Sequence, residues 1–337
     1  MKILVTGGAG FIGSHQVLAL LQAGHDVHVV DDLSNSSSLS LERVAALTGI
    51  EVPLDVVDIT DRSELMASVV RATPDAVIHF AARKHVNESL HRALDYHRVN
   101  IGGLITLLEV MATAGVKQLV YSSSGSIYGD AEIHPIPEST MPNPSNPYSR
   151  TKAMGESILR DLCRTDERWS ITALRYFNPA GAHESGMIGE DPTGLRTNLL
   201  PVLMDVAVGN QTDMMVNGLD YPTPDGSAVR DYVHVVDVAE AHLRALDSGP
   251  EGFRCFNIGR GVGVSVLELI AGVEQATGRS IAWRAGPRRA GDVAQLFGDT
   301  RLAAEGLGME TYRSLDTICR DAWHWQSRNP HGYRTTG

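Results

Sequence analysis

Tyr148 and Lys152 stand four residues apart, directly after Asn146-Pro147, a dipeptide suited to opening a helix. At that spacing a helix puts both side chains on one face. A lysine charge beside a phenol favours the phenolate, whose reference pKa is about 10, and brings it nearer to working pH. Ser124, upstream in the run Ser122-Ser123-Ser124-Gly125-Ser126-Ile127-Tyr128-Gly129, can offer a neutral hydroxyl to a substrate oxygen that loses or gains a proton. Tyrosine and lysine at this spacing also occur on ordinary surface helices, so the pair takes its meaning from what accompanies it.

Thr6-Gly7-Gly8-Ala9-Gly10-Phe11-Ile12-Gly13 follows the apolar run Ile3-Leu4-Val5 and opens a segment of helical period. Gly7 can take the positive φ of a turn, Gly10 lets the backbone approach a pyrophosphate, and Gly13 permits tight packing. The helix N-terminus then faces the anion. The next apolar run, Val27 to Val30, ends in Asp31-Asp32, where a carboxylate accepts from a ribose hydroxyl and repels a 2′-phosphate. NAD is therefore preferred to NADP. Asp58-Ile59, after Leu54 to Val57, suits an adenine edge, and small residues after His79-Phe80-Ala81 let a cofactor lie across a strand end before Lys84. An oxidised nicotinamide there adds a second positive charge beside Tyr148.

These residues need a frame, and the alternation of short apolar runs with helix-period segments up to about residue 180 supplies one. Ala76-Val77-Ile78, Leu119-Val120-Tyr121 and Ile171 to Leu174 complete the series, which implies crossover connections and a parallel sheet covered by helices. The expected fold is α/β: a Rossmann-type, doubly wound parallel sheet over residues 1–177, rejoined by segments near 230–260. A smaller, discontinuous, loop-rich α/β lobe spans most of 178–337, where Gly and Pro become frequent. Asp231 to Ala239 reads as a strand leading into a helix that rejoins the first sheet.

The chain has 337 residues, 40 acidic against 29 basic, for a net charge of −11 that disfavours nucleic acid or an anionic membrane as main partner. An anionic small molecule would need a local basic pocket. No apolar stretch approaches the length of a membrane span, and MKILVTGGAG breaks the apolar run of a signal peptide. Cys163, Cys255 and Cys319 lie far apart, which fits a reducing cytosol. His79, His85, His91 and His97 recur every six residues, an interval that turns successive rings apart on a helix, so no metal site is expected. Trp323-His324-Trp325 reads as C-terminal packing.

TGGAGFIGSH, HFAARKHVNES, YSSSGSIYGD, YSRTK, LRYFNPAGAH, GEDPTG, DGSAVRDYVHVVD, RRAGD and DAWHWQSRNPHGY together resemble the UDP-glucose 4-epimerases of the extended short-chain dehydrogenases/reductases, over nearly the whole chain. The resemblance implies catalytic positions at Ser124, Tyr148 and Lys152. It implies NAD contacts at Gly7, Gly10, Phe11, Ile12, Gly13, Asp31, Asp58, Ile59, Phe80, Ala81, Lys84, Asn100, Ser122, Tyr148, Lys152 and Phe177. UDP-sugar contacts fall at Ser124, Ser126, Asn178, Asn198, Leu199, Arg230, Arg289, Asp292 and Leu296. Arg230 and Arg289, from separate segments, would clamp a diphosphate. The implied cycle oxidises the sugar at C4 to a 4-keto sugar held with NAD, turns the sugar over, and returns the hydride to the other face.

Departures are local. Tyr148-Ser149-Arg150-Thr151-Lys152 stands for the commoner Y-G-K-S-K, and Ser126 stands for a threonine, keeping the hydroxyl. Asn217 occupies the place where Phe often packs near the uracil. Leu296 stands where glucose-restricted members often carry Tyr, which leaves UDP-GlcNAc and UDP-GalNAc as additional substrates. The family also suggests a homodimer through helices 104–114 and 147–162. Other nucleotide-sugar 4-epimerases or dehydratases are the nearest rivals, but Gly125 and Ser126 leave no carboxylate between Ser124 and Tyr128 to drive elimination. A non-catalytic NAD-binding protein is the rival from another class; loss of Tyr148 or Lys152 would have favoured it.

Overall fold

The computed structural model describes residues 1–192, 198–247, 252–289, 291–309 and 312–334. Its frame is a seven-stranded sheet in which β1 (Lys2–Thr6), β2 (Asp26–Asp31), β3 (Leu54–Val56), β4 (Ala76–His79), β5 (Gln118–Ser124), β6 (Ser170–Tyr176) and β7 (Gly252–Ile258) are all parallel. The order across the sheet is β7-β6-β5-β4-β1-β2-β3.

Side chains alternate between the two faces of a strand, so the uninterrupted apolar runs feed a layer of the core on each face of the sheet. Ile3 and Val5 point with Val29, Ile78 and Val120 into one layer, which helices Phe11–Gln22 and Val235–Asp247 cover. Leu4, Val30, Val77, Leu119 and Tyr121 enter the other layer, against helices Arg62–Ala72, Gly103–Ala114 and Pro147–Thr165. The strand order reverses between β1 and β4, and their carboxyl ends open the crevice where doubly wound sheets bind ligands.

The rest of the chain builds a second core from helices Leu199–Val208, Val266–Thr277 and Leu315–Arg328, packed through Leu203, Met204, Leu269, Val273 and Ile318. Short strand pairs edge it: Met214–Asn217 with Trp283–Gly286, and Val229–Arg230 between Val264–Ser265 and Gln295–Leu296. The strand expected from Asp231 onward is short and pairs with Asn178–Ala180, not with the central sheet. Buried Asp231 accounts for this, because its carboxylate accepts the backbone N–H groups of Arg260 (2.7 Å) and Gly261 (3.1 Å) and holds the segment at the junction of the two cores. Helix Val235–Asp247 and β7 then return to the first core. No helix among the described residues is long and apolar enough to cross a membrane.

Candidate active site

The glycine turn is built as its spacing requires. Gly7 has φ +73°, and a side chain there would begin 2.6 Å from the Ala81 backbone nitrogen, so β1 and β4 can close on each other only around a glycine. A side chain at Gly13 would begin 2.1 Å from the Gly7 carbonyl oxygen, whereas the space beyond Gly10 is open enough for a ligand to approach. Gly10 caps helix Phe11–Gln22 with extended backbone and no capping side chain, leaving the first amides turned toward the crevice.

Asp31, at the end of β2, is buried and accepts from the Ala9 amide (3.0 Å), the Leu33 amide (2.9 Å) and the Ser36 hydroxyl (2.7 Å). Burial raises its pKa, and those three donors pull it back. Asp58 uses one oxygen for the Thr60 amide and hydroxyl, both at 2.8 Å. The cleft above these residues measures about 1390 Å³, more than the roughly 300–1,000 Å³ typical of a single small ligand, and so has room for a dinucleotide with a second molecule. The open turn, the exposed helix start and the ribose-side carboxylate fit NAD.

Helix Pro147–Thr165 begins where Asn146 accepts the Ser149 amide at 2.9 Å with Pro147 in the first turn. Gly155 sinks the helix onto the sheet, since a side chain there would meet the Tyr121 hydroxyl at 2.3 Å. Tyr148 and Lys152 thereby both line the cleft. Lys152 donates to the Ser122 carbonyl oxygen at 2.7 Å and lies 5.1 Å from the centre of the Tyr121 ring. Burial lowers the lysine to about 7. Burial also pushes the Tyr148 phenol up, with the neighbouring Ser124 hydroxyl opposing it. The expected lowering of Tyr148 by Lys152 is therefore not what the protein alone displays, because desolvation acts on both groups and disfavours the charged form of each.

The serine turn is braced from behind. Ser124 accepts the Ser126 amide at 3.2 Å and shares a 2.9 Å hydroxyl contact with Ser126. Ser123 donates to Glu156 at 2.6 Å, and Glu156 holds Arg175 through two hydrogen bonds, at 2.8 and 2.6 Å, with both side chains 1% exposed. Arg175 also donates to the Tyr128 hydroxyl at 2.8 Å, which donates on to Asn257 at 2.7 Å. This buried chain links β5, β6 and β7 under the serine turn.

Across the cleft, Arg230 is paired with Asp292, and the Arg289 carbonyl accepts the Asp292 amide at 3.2 Å. Asn178, Asn198, Leu199, Asn217 and Arg289 line the same space. Thr193 and Gly194, which end the GEDPTG motif, lie outside the described residues.

Five expected site residues do not line the cleft. Ser124 reaches the cleft only through its hydroxyl contact with Tyr148, and Ser126 bonds to Ser124 and Ser149. Asn100 is buried, brackets the Arg83 backbone at 2.8 and 3.0 Å, and donates to Thr151 at 3.0 Å, so it braces the Lys84 loop against the tyrosine helix. Phe177 is buried beside Gly125 and Gly298, and Leu296 packs on the cluster of Ile127, Tyr128, Ile136 and Phe177. Conversely, Glu190 and Tyr333 line the cleft without having been singled out. The motif GEDPTG could have pointed to the first, and DAWHWQSRNPHGY, which ends on Tyr333, to the second. Among the described residues no three His, Cys, Asp or Glu gather as a metal set.

Known proteins resemble the chain over nearly its whole length. The model of the NAD dependent epimerase/dehydratase family matches residues 3–259. A UDP-glucose 4-epimerase of Yersinia pestis is 48% identical over 99% of both chains. The structure of the UDP-glucose 4-epimerase from Bifidobacterium longum, solved with NAD+ and UDP, superimposes with a TM-score of 0.96 at 42% identity, over 98% of this chain and 100% of that one. That of Stenotrophomonas maltophila, with NAD and formylated UDP-arabinopyranose, gives 0.94 at 44%, over 98% and 99%.

Proposed function

The chain belongs to the NAD dependent epimerase/dehydratase family, and from that premise we propose that it interconverts UDP-glucose and UDP-galactose by inverting C4 of the sugar. NAD is its cofactor. When bound, NAD supplies the oxidant that accepts hydride at C4 and gives it back, and so is regenerated in each cycle.

The chain's own residues do the rest. Tyr148 takes the proton from the 4-hydroxyl and later returns it to the oxygen at the inverted centre, with the Ser124 hydroxyl beside it. Lys152, fixed on the Ser122 carbonyl in the same cleft, is the group whose protonated form would favour the phenolate once the cofactor is bound. Arg230 and Arg289 grip the diphosphate while the 4-keto sugar turns over. A sugar pocket that permits turning cannot grip one epimer tightly, so the nucleotide carries most of the affinity.

The observation that carries this reading is that Tyr148 and Lys152 share one cleft with Arg230, Arg289 and Asp292. Purified protein carrying NAD, given UDP-galactose, is expected to yield UDP-glucose; no conversion would overturn the assignment.

A second reading concerns sugar range. Leu296 packs on the cluster of Ile127, Tyr128, Ile136 and Phe177 and does not itself line the cleft. The reading that UDP-GlcNAc and UDP-GalNAc are turned over as well rests on its smaller bulk where glucose-restricted relatives often carry Tyr. Leu296→Tyr should suppress the N-acetylated pair by at least about tenfold, as one misfitted group in a pocket does, while sparing the glucose pair. Lack of wild-type turnover on UDP-GalNAc would end this reading.

The assembly we propose is a homodimer. Leu94 (85% exposed), Ile105 (43%) and Met154 (40%) offer apolar side chains on Ala93–His97, Gly103–Ala114 and Pro147–Thr165. Light scattering should give twice the chain mass, and Leu94→Glu half of that; a monomeric wild type would refute it. The compartment we propose is the cytosol, since Cys163, Cys255 and Cys319 are free thiols. Cell fractionation recovering the protein elsewhere would overturn it.

A further inference from the structure

The Glu190 carboxylate, 8% exposed, receives two donors on the same oxygen: Lys84 Nζ at 3.2 Å and Asn198 Nδ2 at 2.7 Å. Lys84 follows β4 on the dinucleotide side of the cleft and is a candidate cofactor contact. Asn198 precedes helix Leu199–Val208 in the second core and is a candidate substrate contact. One oxygen thus joins the two halves of the site.

The backbone that carries Glu190 is held from behind. The Tyr333 hydroxyl donates to the Gly189 carbonyl and accepts its amide, both at 3.2 Å, and the Tyr333 amide donates to Asp191 at 2.8 Å. The Trp325 ring fills the place of a side chain at Gly189, where a Cβ would fall 2.4 Å from it. Trp325 and Tyr333 are in turn spanned by Arg43, at 5.4 and 4.9 Å from their ring centres. Glu190 therefore sits on a fixed segment while its partners come from different parts of the fold.

We propose that Glu190 is a positioning residue that ties Lys84 to Asn198, so that cofactor retention and nucleotide-sugar binding are governed through one carboxylate. The proposal rests on the epimerase reading for the roles of those two partners. The two contacts differ in kind. Lys84 needs the negative charge, whereas Asn198 needs only an acceptor oxygen. Glutamine at 190 keeps the oxygen and removes the charge, and so separates them.

The experiment uses the NAD-loaded protein and follows release of NAD after dilution, KM and kcat with UDP-galactose, and the thermal midpoint. Glu190→Gln should lose NAD about tenfold faster, the worth of one charge-assisted hydrogen bond, with KM changed less than about threefold. Glu190→Ala should raise KM about tenfold as well. Lys84→Met should release NAD at least as fast as Glu190→Gln, and the double variant no faster than Lys84→Met, because Glu190 acts on the cofactor through Lys84. A merely structural glutamate would lower the thermal midpoint without that non-additivity. Unchanged NAD release in Glu190→Gln, or additive effects in the double variant, would overturn the proposal, as would an unchanged KM in Glu190→Ala. Should Glu190→Ala not fold, the cycle of Lys84→Met and Glu190→Gln decides. A wild type inactive on UDP-galactose would sink the epimerase reading, and the NAD-release cycle would still judge the Lys84–Glu190 link by itself.

Discussion

The Lys152 ammonium rests on the Ser122 carbonyl oxygen at 2.7 Å, a backbone anchor at the end of β5 that owes nothing to Tyr148. The lysine is thereby placed by the sheet, and its charge by burial, which lowers its pKa to about 7. In an unfolded chain the same group stays protonated to about pH 10.4.

Between those two values the unfolded chain binds more protons than the folded one, so the stability of the NAD-free protein should rise with pH from about 7 to 10, by on the order of a few kcal/mol. Below about 7 both states are protonated and the cost of burying the charge stays in full. Urea denaturation at pH 6.5 and 9, compared with Lys152→Met, checks this: the variant should lack the rise. An equal rise in both proteins would assign it to other groups.

Tyr148→Phe removes the proton acceptor and leaves the ring. Turnover of UDP-galactose should fall by about 10²–10⁴, the usual worth of a positioned acid–base group, with NAD still bound. Assay of kcat together with the NAD content of the purified variant tests it, and substantial residual kcat would mean that another group moves the proton.

Gly13→Ala puts a methyl where only 2.1 Å separates it from the Gly7 carbonyl oxygen, so turn and helix must part. Loss of roughly 1–3 kcal/mol of stability is expected, with NAD largely absent after purification. Differential scanning calorimetry and the absorbance ratio of the purified protein give both quantities.

Arg175→Met leaves Glu156 charged and buried without its main partner, a change that costs about 3–5 kcal/mol. Arg175→Met with Glu156→Leu should regain much of that in urea titrations, because no unpaired charge remains. Activity should not recover with it, since Ser123 loses its acceptor and Tyr128 its donor beneath the serine turn.

Features set by consecutive residues were legible in the sequence. Ile3 to Val5, with Gly7, Gly10 and Gly13 after it, announces a strand, a turn and a helix because each residue type answers a local steric demand. Tyr148 and Lys152 are legible for the same reason, their spacing being a property of one helix. What depends on distant partners was not. Nothing around Glu190 reveals that Lys84 and Asn198 converge on it, and nothing around Asn100 reveals that its amide braces Arg83 and Thr151. The three-residue pairing of Tyr232–His234 with Asn178–Ala180 escaped notice because so short a strand has no pattern of its own and is fixed by its neighbours.

Tyr333, four residues from the end of the sequence, lines the same cleft as Gly7 and fastens the segment that carries Glu190. The central sheet has its last strand at Gly252–Ile258, so one wall of the cleft comes from a segment that the sheet itself does not contain. A change that loosens Tyr333 alters the wall of the cleft and leaves every strand pairing of the sheet in place.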